Sequence, residues 1–427
     1  MPTKRNKAGQ QQNYVPQGNG DASGEYADQA SGSNKHFTNF KKPDEQAENV
    51  KSDLTKTEQP KEDTSKYSGG SKTKSEFSAG IQARGFNDYK YGEGAVKNFQ
   101  EVIANANEDC IGIIDHSFQN HRVDFIRDDK NGSYYNKARD EINVDPKDLD
   151  RAFEEKGEAV FHEIGHYLNA QNTIREEHGW RSESLPLVEA HVLFKDDYKS
   201  VAETLQEEIK EFAAAKHAPR IRKERSKYLN ERLKQYGFTC EEFERNIKKS
   251  KDILASDAEW LDIKDRVVND WQNGRFESRE EANKKLREEL MNWKENGSYK
   301  DLFTAIEYQR PYFRKYQDEW GKLTGIKAVS DVWSSKSDFG FGYGHPRTYY
   351  NKSWNNPNPE NLVADELWAN TFASLTTNNQ ASLETTKKYF PRTYEKMLKL
   401  VDYLKDKRTK YLNMKSEIEK FQNGEAI

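Results

Sequence analysis

The sequence has few cysteines and no long apolar runs. Its 427 residues include only two cysteines, Cys110 and Cys240, which excludes a disulfide scaffold and a zinc cluster built from thiolates. No uninterrupted apolar run approaches the ~20 residues of a membrane-spanning helix, and the N-terminus lacks the apolar stretch of a signal peptide. We therefore expect a soluble, cytoplasmic protein without a membrane partner, in which any metal is bound by histidines and carboxylates.

An excess of one charge is also absent. The chain has 68 lysines and arginines against 72 aspartates and glutamates, which gives a formal net charge of −4. A chain this balanced is not, as a whole, a basic nucleic-acid-binding protein. The basic run at 221–227 is typical of a solvated helix face. We expect no nucleic-acid partner.

The chain divides into segments of different composition. Hydrophobic residues make up 34% and charged residues 33%, which indicates that part of the chain does not enter a core. Residues 1–75 are rich in Gln, Asn, Gly, Ser and Lys, so we predict a disordered tail that buries too little apolar surface to fold. Residues 195–320 are charged and helical in pattern, which predicts several helices folded back as hairpins. Residues 76–194 and 321–427 have mixed character and are predicted to form the rest of the fold.

Strand patterns precede the first long helix. The apolar run at 110–118 has the length of a strand, and 121–129 alternates polar and apolar residues as a half-buried strand does. The pair at 131–132, Asn-Gly, is a strong turn signal, and 133–144 follows it as another strand candidate. Together these patterns predict a small antiparallel sheet.

A helix start follows at Asp145. This residue suits the N-cap position, and Pro146 suits the first helical position. Apolar residues then recur at near-helical spacing and define one face of a single helix. They are Leu149, Phe153, Val160, Ile164 and Leu168.

The predicted helix carries two histidines with a glutamate beside the first. His162 and His166 stand at positions i and i+4, so both imidazoles lie on one helical face and can reach one ion ~2 Å from each nitrogen. Glu163 leans toward the same site, where it can take a proton from an attacking water and pass it to a leaving amine. Zinc lowers the pKa of a bound water towards ~7. This spacing predicts a zinc-dependent hydrolase site.

A catalytic zinc site needs a third protein ligand. The metzincin continuation would place glycine at 169 and histidine at 172, but the chain has Asn169 and Asn172, which excludes that class. Glu183 and Glu189 lie shortly downstream and are candidates, and Glu189 has the more apolar surroundings.

Glu366 is a further candidate for the third ligand. Ala369 and Ala373 share its helical face, and such small residues allow another helix to approach closely. A carboxylate among apolar neighbours needs a partner, and a cation is a good one. Spacing and environment favour Glu366 over Glu189, which stays open.

Four motifs together carry a resemblance to a known family. HEIGHYL at 162–168, YGHPRTYY at 343–350, ELWANTFA at 366–373 and FPRTYEKM at 390–397 resemble the catalytic domain of anthrax lethal factor and the zincin-like domains of phage head-morphogenesis proteins. The resemblance implies an α+β, zincin-like metallopeptidase of the gluzincin type. Such a fold has a small antiparallel or mixed sheet, an active-site helix and a second helix that completes the metal site. Here a large helical insertion at 195–320 separates the two halves.

The resemblance also implies roles for individual residues. In the family, the glutamate that opens a Glu-aromatic-aromatic-Ala-x-x-Phe helix is the third zinc ligand, which corresponds to Glu366, although Leu367 departs from that pattern. A tyrosine shortly before this glutamate donates to the developing oxyanion, and Tyr343 corresponds by motif position. A longer insertion separates it from Glu366 here, so further candidates stay open. They are His345, Tyr349 and Tyr350.

The sequence thus predicts a Zn²⁺-dependent metalloendopeptidase that hydrolyses protein or peptide substrates. The expected ligands are His162, His166 and Glu366, with Glu163 as general base and then general acid. The segment 133–144 is similar in position to the zincin strand beside which an extended substrate lies. An alternative is a phage structural, cargo or head-assembly protein with an inactive or latent zincin fold. That alternative implies capsid proteins as partners and a location in the host cytoplasm or the virion.

Overall fold

The computed structural model describes residues 71–128, 132–150, 157–178, 181–215, 217–336, 345, 347–352 and 358–422. These residues form a mostly helical structure with two small sheets, so the predicted α+β class is confirmed. Residues 1–70 of the predicted disordered tail lie outside the described residues, whereas 71–75 begin the first helix. No helix in the described part of the chain combines the length and the apolar character that a membrane crossing requires.

Four helices open the described chain. They are α1 (Ser71–Ala83), α2 (Asp88–Tyr91), α3 (Glu93–Asn105) and α4 (Glu108–Asn120). The strand predicted at 110–118 is wrong, because this run lies inside α4. The Asn107 side chain caps α4 by accepting a hydrogen bond from the Cys110 N–H, and Glu108 and Asp109 complement the helix dipole in the first turn. An apolar run of this length suits a buried helix as well as a strand.

A three-stranded mixed sheet follows α4. Its strands are β1 (Asp124–Ile126), β2 (Tyr134–Asn136) and β3 (Glu141–Asn143), in the order β1-β3-β2. β1 runs parallel to β3, so the sheet is not purely antiparallel as its strand patterns predicted. The strand candidate at 133–144 is instead the hairpin of β2 and β3, in which Tyr135 pairs with Ile142. Asn131 of the predicted turn lies outside the described residues.

The helix predicted to begin at Pro146 is two helices. The first is α5 (Pro146–Asp150), and the second is α6 (Glu158–Gln171), which carries both histidines of the motif. Residues 151–156 between them lie outside the described residues. Gly157 precedes α6 with a φ of 79°, a left-handed conformation that favours glycine. A hairpin that the sequence did not predict then follows, with strands β4 (Ile174–His178) and β5 (Arg181–Leu185).

The segment 195–320 is helical, as predicted. Its helices are α7 (Val201–Ala214), α8 (His217–Leu233), α9 (Cys240–Ser256), α10 (Ala258–Gln272), α11 (Arg279–Asn296) and α12 (Lys300–Thr324). Residues of α7 such as Leu205 belong to the main hydrophobic core. The later helices form two smaller clusters, one around Phe243 and Phe313 and one around Trp260 and Trp293.

Four helices complete the described chain. They are α13 (Ser330–Lys336), α14 (Pro359–Thr377), α15 (Gln380–Tyr389) and α16 (Pro391–Gln422). α14 packs against α6 inside the main core. A Cβ at Gly165 of α6 would lie 2.7 Å from the Cα of Ala369 in α14, so the two backbones meet where glycine permits it. The Trp368 Nε1–H also donates to the Gly165 carbonyl oxygen at 2.9 Å.

Candidate metal centre

Three side chains from α6 and α14 converge on one point. The Nε2 atoms of His162 and His166 lie 3.0 Å apart. The Oε2 atom of Glu366 lies 3.4 Å from Nε2 of His162 and 3.5 Å from Nε2 of His166. The structure therefore brings together the three residues that the sequence predicted as metal ligands, across about 200 residues of chain.

The ring of His162 presents a lone pair to this point. Its Nδ1 lies 2.9 Å from Oδ1 of Asn370, an atom that can only accept, so Nδ1 carries the proton. The Asn370 amide is oriented by its other end, where Nδ2 lies 3.4 Å from the Ala328 carbonyl oxygen and 3.4 Å from Oδ2 of Asp331. In the neutral ring, Nε2 of His162 is then unprotonated and faces the other two ligand atoms.

The ring of His166 is held in the same way by a carboxylate. Its Nδ1 lies 3.0 Å from Oδ2 of Asp365, the residue that precedes Glu366 on α14. Oδ1 of Asp365 accepts a hydrogen bond from Nδ2 of Asn169 at 2.8 Å, and Oδ1 of Asn169 accepts one from the Val188 N–H. Burial would lower the pKa of His166, but the Asp365 and Glu366 carboxylates raise it well above its ordinary value.

Glu366 is a buried carboxylate with one unsatisfied oxygen. Its side chain is only 1% exposed, Oε1 accepts a hydrogen bond from the Tyr349 hydroxyl at 3.0 Å, and Oε2 accepts none from a described residue. Burial would raise the pKa of Glu366, but His166 and His345 hold it well below its ordinary value. An ionised oxygen in the interior without a hydrogen-bond donor costs several kcal/mol, and a positive charge at this point, on an imidazole or on a metal ion, offsets that cost.

The geometry fits a tetrahedral cation. Ligand atoms ~2.0–2.1 Å from such an ion lie about 3.3 Å from one another. The three observed separations, 3.0, 3.4 and 3.5 Å, bracket that value. Two imidazoles and one carboxylate are a donor set that zinc accepts while keeping a fourth position open. His162, His166 and Glu366 could therefore hold such an ion.

Glu163 lies beside the convergent atoms, in the turn of α6 between the two histidines. Burial raises the pKa of its carboxyl above the ordinary value, although His162 and His166 oppose this shift. Its carboxylate also accepts a backbone hydrogen bond from Tyr135 of β2. A buried carboxyl group beside two histidines is placed to exchange a proton with a group at this centre.

A second group of polar residues borders the centre. Oδ1 of Asp331 accepts hydrogen bonds from the His345 N–H at 2.7 Å, from the Tyr350 hydroxyl at 2.7 Å and from Nδ1 of His345 at 3.1 Å. Burial would lower the pKa of His345, but Glu366 and Asp331 raise it to about 9. The three hydrogen bonds occupy Oδ1 of Asp331. Asp331, His345 and Glu366 also lie close enough together to form a second group that could hold a cation.

The remaining candidates from the sequence are the tyrosines proposed as oxyanion donors and the two alternative glutamate ligands. Tyr343 lies outside the described residues. Tyr349 stacks on His345 at a centroid distance of 4.0 Å and is 40% exposed, whereas Tyr350 is buried. Glu183 is exposed on β5, and Glu189 ends a short helical turn and hydrogen-bonds Asn361. Among the described residues, neither glutamate joins the two histidines.

Sequence reasoning missed four polar residues that bond to the two histidines or to the partners of those histidines. They are Asn169, Asp331, Asp365 and Asn370. Two of them, Asp365 and Asn370, lie on α14 within four residues of Glu366, and this closeness to a candidate ligand is the signal that could have identified them. No protein-family model, curated protein or solved structure matches the chain.

Proposed function

We propose that the protein is a zinc-dependent metalloendopeptidase of the gluzincin type, with a zincin-like fold. The observation that carries this proposal is the convergence of two imidazole nitrogens and a buried, unsatisfied carboxylate oxygen at 3.0–3.5 Å. His162, His166 and Glu366 would hold Zn²⁺, which polarises a peptide carbonyl and lowers the pKa of a water towards ~7.

Glu163 would move the protons of the reaction. It stands one residue after His162 on α6, and its carboxyl interacts electrostatically with His162, His166 and Glu366, so it lies near the ligand atoms. As general base it would take a proton from the attacking water, and as general acid it would give that proton to the leaving amine. The raised pKa of Glu163 supports both roles, because the group must be protonated and deprotonated in one catalytic cycle.

Tyr349 is our choice for the donor to the developing oxyanion. Its hydroxyl already lies 3.0 Å from Glu366, and its side chain is 40% exposed, so a substrate could reach it. Burial and the Glu366 carboxylate raise the pKa of Tyr349, which keeps the hydroxyl protonated. The Tyr350 hydroxyl is instead committed to Asp331. His345 stacks on Tyr349 and would support it or donate beside it.

The substrate would be an extended peptide. β2 pairs with β3 on one side and has no other strand partner among the described residues. The backbone contact between Glu163 and Tyr135 links this edge strand to the proposed general base. A peptide that adds to β2 as a further strand would receive main-chain hydrogen bonds beside the catalytic carboxylate.

The test combines metal content with hydrolysis of an unfolded protein such as labelled casein. Wild type should hold one zinc per chain and cleave the substrate. Glu163→Gln should keep zinc and lose about 10²–10⁴-fold of the rate, because only the proton carrier is removed. Glu366→Gln should lose both the activity and the bound zinc, because a proposed ligand is removed. Glu189→Gln, a matched change at the rival glutamate, should keep both properties.

Two results would refute the proposal. One is a wild-type protein that retains no zinc after dialysis against buffer with trace metal. The other is hydrolysis by Glu163→Gln at the wild-type rate, which would remove the assigned general base.

A further inference from the structure

Asp331 is a buried carboxylate that is not one of the three proposed metal ligands. Each of its two oxygens contacts a different group of neighbouring residues. It belongs to α13 and is 5% exposed. Oδ1 accepts from the backbone N–H of His345 and the hydroxyl of Tyr350, each at 2.7 Å. Oδ2 faces Nδ2 of Asn370 at 3.4 Å. Oδ1 therefore bonds to the His345 and Tyr350 side of the site, and Oδ2 faces the Asn370 amide.

Asn370 connects Asp331 to the first histidine. An amide side chain has a donor end and an acceptor end, and the environment decides which end points where. Here the acceptor end, Oδ1, lies 2.9 Å from Nδ1 of His162, while the donor end faces Asp331 and the Ala328 carbonyl oxygen. If the amide turned around, its NH₂ would face Nδ1, which would have to give up its proton.

The position of that proton decides whether His162 can bind a metal. A neutral imidazole has one N–H and one lone pair. With the proton on Nδ1, the lone pair of Nε2 points at His166 and Glu366. With the proton on Nε2, the same atom presents N–H and cannot be a ligand.

We propose that Asp331 is a positioning residue that fixes the tautomer of His162 by fixing the direction of the Asn370 amide. The inference rests on the proposed function, since it concerns the same metal centre, and it assigns a role to a residue that contacts neither metal nor substrate. Asp331→Asn supplies the direct test. Its amide oxygen can replace Oδ1 towards His345 and Tyr350, but its NH₂ replaces Oδ2 and meets the NH₂ of Asn370. Two donors then face each other, and the Asn370 amide is driven to turn around.

The first measurement is the tautomer of His162 in metal-free protein, read from ring ¹⁵N shifts and assigned with a His162→Gln spectrum. We expect wild type to carry the proton on Nδ1 and Asp331→Asn to carry it on Nε2. The second is zinc affinity, measured by competition with a chromophoric chelator. We expect Asp331→Asn to bind zinc about tenfold more weakly or worse, in the range typical of lost ligand-orienting groups.

A charge swap separates positioning from loss of structure. In Asp331→Asn/Asn370→Asp the net charge is unchanged, the new carboxylate accepts from His162 Nδ1, and the new amide at position 331 donates to that carboxylate. This double variant should return the proton to Nδ1 and restore zinc affinity to within about threefold of wild type. Tyr350→Phe is the control, because it removes a donor to Oδ1 and leaves the Asn370 side intact. It should leave zinc affinity unchanged.

Three results would overturn the inference. They are a wild-type tautomer and zinc affinity in Asp331→Asn, failure of the double variant to recover either property, and an equal loss of affinity in Tyr350→Phe. The tautomer is read without metal or substrate, so its outcome judges Asp331 even if the protein cleaves no peptide. Absence of hydrolysis with the expected tautomers would refute the proposed function alone.

Discussion

Replacement of Gly165 by alanine tests how the two ligand-bearing helices are held together. Gly165 lies on α6 between the two histidines and close to the opposite backbone in α14. A new Cβ would stand 2.7 Å from the Cα of Ala369, about 1 Å inside the separation at which carbon atoms attract one another. The obstacle is backbone and cannot rotate away, so α6 and α14 must separate.

Two effects of opposite sign set the magnitude. Overpacking a close contact costs about 1–3 kcal/mol, and the upper end applies at Gly165 because the obstacle is main chain. Replacing glycine by alanine inside a helix by itself raises the free energy of unfolding by about 0.5–1 kcal/mol. The free energy of unfolding should therefore fall by about 2 kcal/mol. A separation of about 1 Å would also carry Glu366 away from the histidines, so zinc affinity should fall at least about tenfold.

The assay is urea unfolding followed by circular dichroism, together with zinc competition. Gly80→Ala is the matched control, because Gly80 lies inside α1 and a methyl group added there would meet nothing within 4 Å. Alanine at this position should stabilise the protein by about 0.5–1 kcal/mol. Adding Ala369→Gly to Gly165→Ala should not restore stability or zinc affinity, because the Cα at position 369 still obstructs the new Cβ. A Gly165→Ala protein as stable as wild type, with unchanged zinc affinity, would refute the reasoning.

Two further predictions concern the pKa of buried groups. Burial raises the pKa of Cys110 and of Cys240 to about 12, so we expect neither thiol to react with a maleimide in native buffer while both react in concentrated urea. Burial would also raise the pKa of Glu176, but the backbone N–H groups of His191 and Val192 lower it. The resulting stabilisation is present above the unfolded value of about 4.3 and is lost as the pH falls through the lower folded value. Urea unfolding should show the advantage of wild type over Glu176→Gln shrinking on acidification; a growing advantage would contradict it.

Secondary structure could be predicted where apolar residues recur with a regular period over a long stretch of sequence. The charged helices between 195 and 320 follow from repeated helical spacing over many turns, and the structure has helices there. The run at 110–118 could not be assigned in the same way. Ile111, Ile113 and Ile114 are all buried inside α4, so they lack the one-sided spacing that identifies a helix.

The candidate site could be predicted in part for a similar reason. His162 and His166 are related by local helical geometry, which a sequence displays directly. Glu366 could be favoured from its small and apolar neighbours, because a buried carboxylate needs a cation or a donor. The partners of the histidines, Asp365 and Asn370, depend on how α14 crosses α6, and the sequence contains no local signal for that crossing.

α14 itself shows why the unsatisfied oxygen of Glu366 is significant. Two buried threonines on this helix form local hydrogen bonds: the hydroxyl of Thr371 donates to the Leu367 carbonyl oxygen at 2.7 Å, and that of Thr376 donates to the Phe372 carbonyl oxygen at 2.8 Å. A carboxylate has no proton to donate, so this local solution is closed to Glu366. Its Oε2 instead faces Nε2 of His162 and Nε2 of His166, two rings whose Nδ1 atoms are held by Asn370 and Asp365. A buried carboxylate oxygen that faces two imidazole nitrogens, on a helix whose threonines bond locally, is the arrangement that the proposed metal centre requires.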